Sequence, residues 1–104
     1  MITALLSDMF FTVKIKTTAD HVGVPIHITG SPEEVQATLI LVDLETFSND
    51  LPVLKKNNPE SRIVGFLSHV NLEARKTAEA AGIEVQTRSE FTKNLPTLLG
   101  STPL

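Results

Sequence analysis

Four consecutive apolar residues, Leu39 to Val42, lie inside the stretch Thr38–Leu44 (TLILVDL) and run straight into an acid, Asp43. An unbroken apolar run of this length reads as a strand buried on both faces, the condition of a central strand in a parallel sheet. Asp43 then sits at the carboxyl end of that strand, the edge of an open α/β sheet where ligand sites collect.

The rest of the chain is placed around this strand. Ile2–Leu6 (ITALL) is short and mostly apolar and reads as a first strand, with Ser7 and Asp8 as candidate helix caps behind it. In residues 9–21, Phe11, Ile15, Ala19 and Val22 recur at steps of four, four and three, which predicts a helix. The alternation of Phe11, Val13 and Ile15 with Thr12, Lys14 and Lys16 supports a strand instead, and periodicity alone does not decide between them. Gly23 is a helix stop, and Val24–Thr29 (VPIHIT) a second strand. Ser31, Pro32 and Glu34 form a helix-start signal with a capping box, but at most two turns fit before Thr38.

Beyond Asp43 the chain runs through residues 44–50, to which no element is assigned, then into a short helix with Leu51 and Leu54 inward, ended by Asn57-Asn58-Pro59. Ser61–Leu67 (SRIVGFL) is a fourth strand, finishing at Ser68-His69. Asn71 caps a helix over residues 72–81, with Ala74, Ala78 and Ala81 on one face and Gly82 as its stop. Ile83–Gln86 is a fifth strand. Ser89 caps a last helix carrying Phe91, Leu95, Leu98 and Leu99 on one face, which Pro96 kinks or splits. Strands alternating with helical segments give an α/β fold, a (βα)5 doubly wound parallel sheet with strand order 2-1-3-4-5. That order brings Ser7/Asp8, Asp43 and Ser68 onto adjacent strand ends, beside the point where the order reverses. The predicted domain covers residues 1–99, with 100–104 as a tail.

Composition narrows the chemistry. The chain has 104 residues, enough for one core but not two. It lacks cysteine, which removes disulfides, zinc-thiolate sites and thiol catalysis. A net charge of -3 argues against a phosphate-backbone grip on nucleic acid. Residues 1–52 carry 2 basic and 7 acidic groups and residues 53–104 carry 7 and 5, an imbalance that a solvated surface or a docking face explains equally well. No apolar run approaches the ~20 residues that span a bilayer, and MITALLSDMFF lacks the flanks of a signal peptide, so a cytoplasmic address is expected. No Gly-rich phosphate loop or nucleophile elbow is present. His21, His27 and His69 have no metal-site spacing.

Asp8 after strand one, Asp43 after strand three, Ser68 after strand four and Arg88 after strand five together resemble the pattern of the response-regulator receiver (CheY-like) family. The AEAAG turn at Ala78–Gly82 and a last helix beginning near Phe91 add to the resemblance, which spans about residues 2–99. It implies magnesium held by acids such as Asp8 and Asp43, with Asp43 as phosphoacceptor and Ser68 and Arg88 as phosphate-contact or switch residues. A divalent ion and a cation there stabilise charge on a transferred phosphoryl group.

The chain also departs from the pattern. Ser7 stands where receivers carry a first acid, Arg88 replaces their lysine with one residue more before the aromatic, and the second helix is cut short. Magnesium binding is therefore weak at best. Glu45 either adds a carboxylate or faces solvent. Asp8 is better read as a helix cap than as a metal ligand, Asp43 is equally a site acid or a holder of its loop, and Arg88 either pairs with Asp43 or is a surface charge.

The expectation is a stand-alone pseudo-receiver of a two-component system. It is not an enzyme, and it acts by binding a protein partner, a kinase or a downstream effector. The face over residues 71–99 is its docking surface and a homodimer interface. The alternatives are a conventional receiver phosphorylated on Asp43, and a small enzyme or flavin-binding module on the same fold. The second is disfavoured by a turn at 7–11 without glycine or a Ser/Thr-rich loop.

Overall fold

Leu39–Asp43 forms β3, and all five of its residues are buried. In this computed structural model, which describes residues 1–68 and 71–100, β3 is hydrogen-bonded to β1 (Ile2–Leu5) on one side and β4 (Arg62–Leu67) on the other. β2 (His27–Thr29) and β5 (Glu84–Thr87) form the edges. All four pairings are parallel, in the order β2-β1-β3-β4-β5. The predicted sheet order is the observed one.

Successive β3 side chains point to opposite faces, as the pleat requires. Leu39 and Leu41 pack with Phe11, Ile15, Phe91 and Leu95 of α1 (Met9–Val22) and α5 (Arg88–Gly100). Ile40 and Val42 pack on the other face with Leu44, Leu51, Leu54 and Ala78. These come from α2 (Leu44–Phe47), α3 (Leu51–Asn57) and α4 (Leu72–Ala80). The result is a three-layer sandwich with a separate core on each face.

The helical reading of residues 9–21 is correct. α1 buries Phe11, Ile15 and Ala19, and Asp8 caps it by accepting from the amides of Phe10 (2.8 Å) and Phe11 (3.3 Å). Gly23 ends it in the left-handed region at φ 74, the conformation a helix stop of this kind needs. Asn71 caps α4 through Ala74 N–H, as expected.

Several local expectations are corrected. Val24–Ile26 stay outside β2. Between β2 and β3 a single 3-10 turn, Pro32–Glu34, replaces a helix, and the Ser31 side chain makes no cap bond. Such a turn is too tight for the capping-box exchange, and the Glu34 amide instead donates to the Ser31 carbonyl at 3.1 Å. Residues 44–50, to which the sequence assigns no element, are helical, because Asp43 itself caps α2 and a 3-10 turn, Ser48–Asp50, carries it into α3. Ser89 does not cap α5. Thr87 and Glu90 do, the Glu90 carboxylate accepting from the Thr87 amide (2.9 Å) and the Thr87 hydroxyl from the Glu90 amide (3.1 Å). Ser89 has Thr92 three places on and cannot close the same box. α5 continues through Pro96 to Gly100. The remaining predicted tail, and His69 at the end of the fourth strand, lie outside the described residues.

Candidate functional site

Three strand ends converge at the carboxyl edge of the sheet. β1 delivers Asp8, β3 delivers Asp43 and Glu45, and β5 delivers Arg88 at the first position of α5. Arg88 joins them. Its Nη1 lies 3.5 Å from Asp8 Oδ2 and its Nη2 3.3 Å from Glu45 Oε2. Its guanidinium carbon stands 4.8 Å from the centroid of the Phe11 ring.

Asp43 is only 2 % exposed. Its Oδ1 accepts from the Glu45 amide at 3.1 Å and its Oδ2 from the Thr46 hydroxyl at 3.4 Å. Burial raises its pKa above the ordinary carboxylate value. The Glu45 amide bond and the Arg88 charge oppose that rise, while Glu45 and Asp8 add to it. Of the two readings of Arg88, neither the pair with Asp43 nor a free surface charge is found: it pairs with Asp8 and Glu45, and acts on Asp43 through charge rather than through a hydrogen bond.

Glu45 does not face solvent idly. Its Oε1 accepts from the Ser68 amide at 2.9 Å, which ties the end of β4 to the start of α2 and, through Arg88, to α5. Ser68, Thr87, Arg88 and Ser89 line an open depression of about 310 Å³ beside this network. Arg88 Nε and, on β5, Gln86 Oε1 are buried without a hydrogen-bond partner among the described residues.

A magnesium ion does not fit this arrangement. All six carboxylate oxygens of Asp8, Asp43 and Glu45 already accept from amides, a hydroxyl or the guanidinium. A small hard cation needs several such oxygens released together in octahedral geometry. Among the described residues no group of three acids or histidines is arranged to hold a metal.

Sequence reasoning brought Asp8, Asp43, Ser68 and Arg88 to the same edge, and they do lie there. It missed Thr46 on Asp43 and Phe11 beneath Arg88. A Thr three residues after a helix-capping acid is a readable signal, whereas the contact between Phe11 and Arg88 leaves no local trace.

No protein-family model matches the chain, and no curated protein matches it. Among solved structures, a CheY-like protein (TadZ) from Pseudomonas aeruginosa PAO1 superposes with a TM-score of 0.72 over 93% of this chain and 93% of that chain, at 16% identity. At that identity the likeness speaks for the fold, which is CheY-like. A de novo designed Rossmann 2x2 fold protein is similar at a TM-score of 0.36 and 13% identity, too low to carry an argument. No helix among the described residues is long and apolar enough to cross a membrane.

Proposed function

We propose that this chain is a receiver-like signalling domain, without enzymatic activity of its own, that works by binding a protein partner in the cytoplasm. Its phosphorylation site is degenerate. The observation that carries this reading is the Arg88 guanidinium bridging Asp8 and Glu45 beside buried Asp43. A receiver's switch depends on a mobile cation and an accessible carboxylate. Here a tethered arginine supplies the positive charge, and both Asp43 oxygens are engaged.

The partner, a kinase or a downstream effector, docks on the face built from α4, β5 and α5, within residues 71–99. Arg88 is the first residue of α5, so the state of the acid edge is mechanically tied to that face. Ser68 and Arg88 set this linkage rather than contacting a phosphoryl group.

The second reading, a conventional receiver with Asp43 as acceptor, draws on the depression lined by Ser68, Thr87, Arg88 and Ser89. Intact mass after incubation with magnesium and a small phosphodonor, wild type beside Asp43→Asn, separates the two. The expected result is no adduct on either protein. A phosphoryl-mass adduct on wild type that disappears in Asp43→Asn overturns the degenerate-site reading.

A further inference from the structure

Outside the acid edge, one surface has no role in anything described so far. The outer face of α1 displays Met9, Phe10 and Val13, which are 78%, 73% and 60% exposed. The other large exposed apolar residues among those described, Met1 and Leu72, are not on this helix. A cluster of this kind on one helix marks an interaction site.

The face is centred on Thr17. Phe10, Val13 and Lys14 lie one and two turns before it, and Asp20 and His21 one turn after. Its first half is a raised apolar ridge. Its second half borders a depression of about 480 Å³ lined by Thr17, Thr18, Asp20, His21, Val22 and Pro96. The ridge and the hollow therefore share one helix, and an adjoining depression of about 450 Å³ that also touches Thr17 and Thr18 connects them.

We propose that this face binds a second copy of the chain, with the two α1 helices antiparallel about a two-fold axis near Thr17. That operation sets residues i and 34 − i opposite one another. Val13 then meets His21 of the other copy, and the Phe10 end of each ridge enters the hollow beside Pro96. Lys14 meets Asp20 of the other copy, twice by symmetry. Among the described residues neither Lys14 nor Asp20 has an ion-pair partner within the chain. A parallel arrangement sets Lys14 against Lys14 and Asp20 against Asp20, so charge selects the antiparallel one.

The homodimer expected on residues 71–99 has a poorer surface, since Leu72 is the sole large exposed apolar side chain described there. α1 is about 21 Å long, so its face buries less than the ~800 Å² per partner of a standard interface. The dimer is accordingly weak and concentration-dependent. This inference is independent of the signalling reading.

Sedimentation velocity from about 10 μM to about 1 mM tests it. The wild type moves from monomer to dimer across that range, and Val13→Glu raises the dissociation constant about thirtyfold or more. Lys14→Glu and Asp20→Lys each weaken the dimer, and combining them restores it, because both contacts are remade with signs reversed. All these positions lie on the outer face of α1, and unchanged far-UV circular dichroism confirms that each variant folds. A monomer throughout the range overturns the proposal. So does a dimer that survives Val13→Glu, or a charge-reversed double variant no tighter than its parents.

Discussion

Arg88 and Phe11, 77 positions apart in the chain, are in contact, with the guanidinium carbon over the ring and 4.8 Å from its centroid. Phe11 stacks in turn on Phe66 at 4.9 Å, and Phe66 on Phe91 at 4.3 Å. The cation thus rests on an aromatic column that runs into the core, while its two ends hold Asp8 and Glu45. A planar guanidinium does all three at once, and a lysine ammonium does not.

Magnesium and Arg88 therefore compete for the same carboxylates. The wild type is expected to show saturable shifts at the Asp8, Asp43 and Glu45 amides only at about millimolar magnesium or above. Arg88→Ala should bind more tightly and fold less stably, since three acids then face one another without a cation. Arg88→Lys should fall between the two. The chain has no Trp or Tyr, so amide chemical shifts rather than fluorescence are the readout. Equal magnesium affinity in wild type and Arg88→Ala contradicts the competition.

Burial raises the Asp43 pKa, which sets the sign of a pH effect. Between the unfolded and folded pKa values the folded chain holds more protons than the unfolded one. The Asp43 contribution to stability is therefore most favourable at acid pH, falls as pH rises through that interval and is level above it. Asp43→Asn removes this contribution. The Asn oxygen can still accept from the Glu45 amide, and its amide group can donate to Thr46. We expect neutral-pH stability within about 1 kcal/mol of wild type and a flatter pH profile in urea unfolding. A steeper profile in the variant contradicts the sign.

What was legible in the sequence follows the range of the interactions involved. Burial of β3 and the stops at Gly23 and Gly82 are local and were readable, whereas residues 9–21 carry a helical and an alternating pattern at once, and their period alone does not decide for α1. Element starts that depend on competing caps were less so. At Thr87 and Ser89 two hydroxyls compete, and only the pair with an acid three residues on closes a box. The acid edge was half legible. Strand order brought Asp8, Asp43, Ser68 and Arg88 together, but which carboxylates Arg88 takes is decided by side-chain reach and by Phe11, and no sequence pattern encodes either.

Gly65 lies on β4 opposite Val42, under the helix that Asp43 starts. A Cβ added there meets Leu44 side-chain atoms at 2.5, 2.6 and 2.8 Å. Leu44 is fully buried and has little room to retreat. Gly65→Ala should cost roughly 1–3 kcal/mol by overpacking, read by chemical denaturation, and should shift the amides of Glu45 and Thr46 as α2 is displaced. An unchanged midpoint means that the core beneath α2 is looser than the packing suggests.

Asn58 does for the sheet what a missing helix otherwise does. In the sequence it reads as part of a helix terminator, and it does follow α3. It is also 7% exposed, and its side chain reaches back to the stretch linking β2 to β3. Nδ2 donates to the Val35 carbonyl (2.9 Å) and the Leu54 carbonyl (3.1 Å), and Oδ1 accepts from the Ala37 amide (3.1 Å). With a lone 3-10 turn in that crossover, these bonds hold the chain between β2 and β3 against the end of α3. Asn58→Ala leaves backbone groups at buried Val35 and half-buried Ala37 short of a partner, at a cost of up to about 1–3 kcal/mol for each unsatisfied group. We expect a loss of about 2–4 kcal/mol in urea unfolding, with hydrogen exchange speeding up first at Ala37 and along β2. Asn58→Asp keeps the acceptor for Ala37 but sets a carboxylate against two carbonyls, so it should be no better at neutral pH and should recover partly in acid, as the group protonates and regains a donor. If both variants unfold like wild type, the crossover is held by the packing of Val35 and by its other bonds, such as that from the Ser61 hydroxyl to the Ala37 carbonyl.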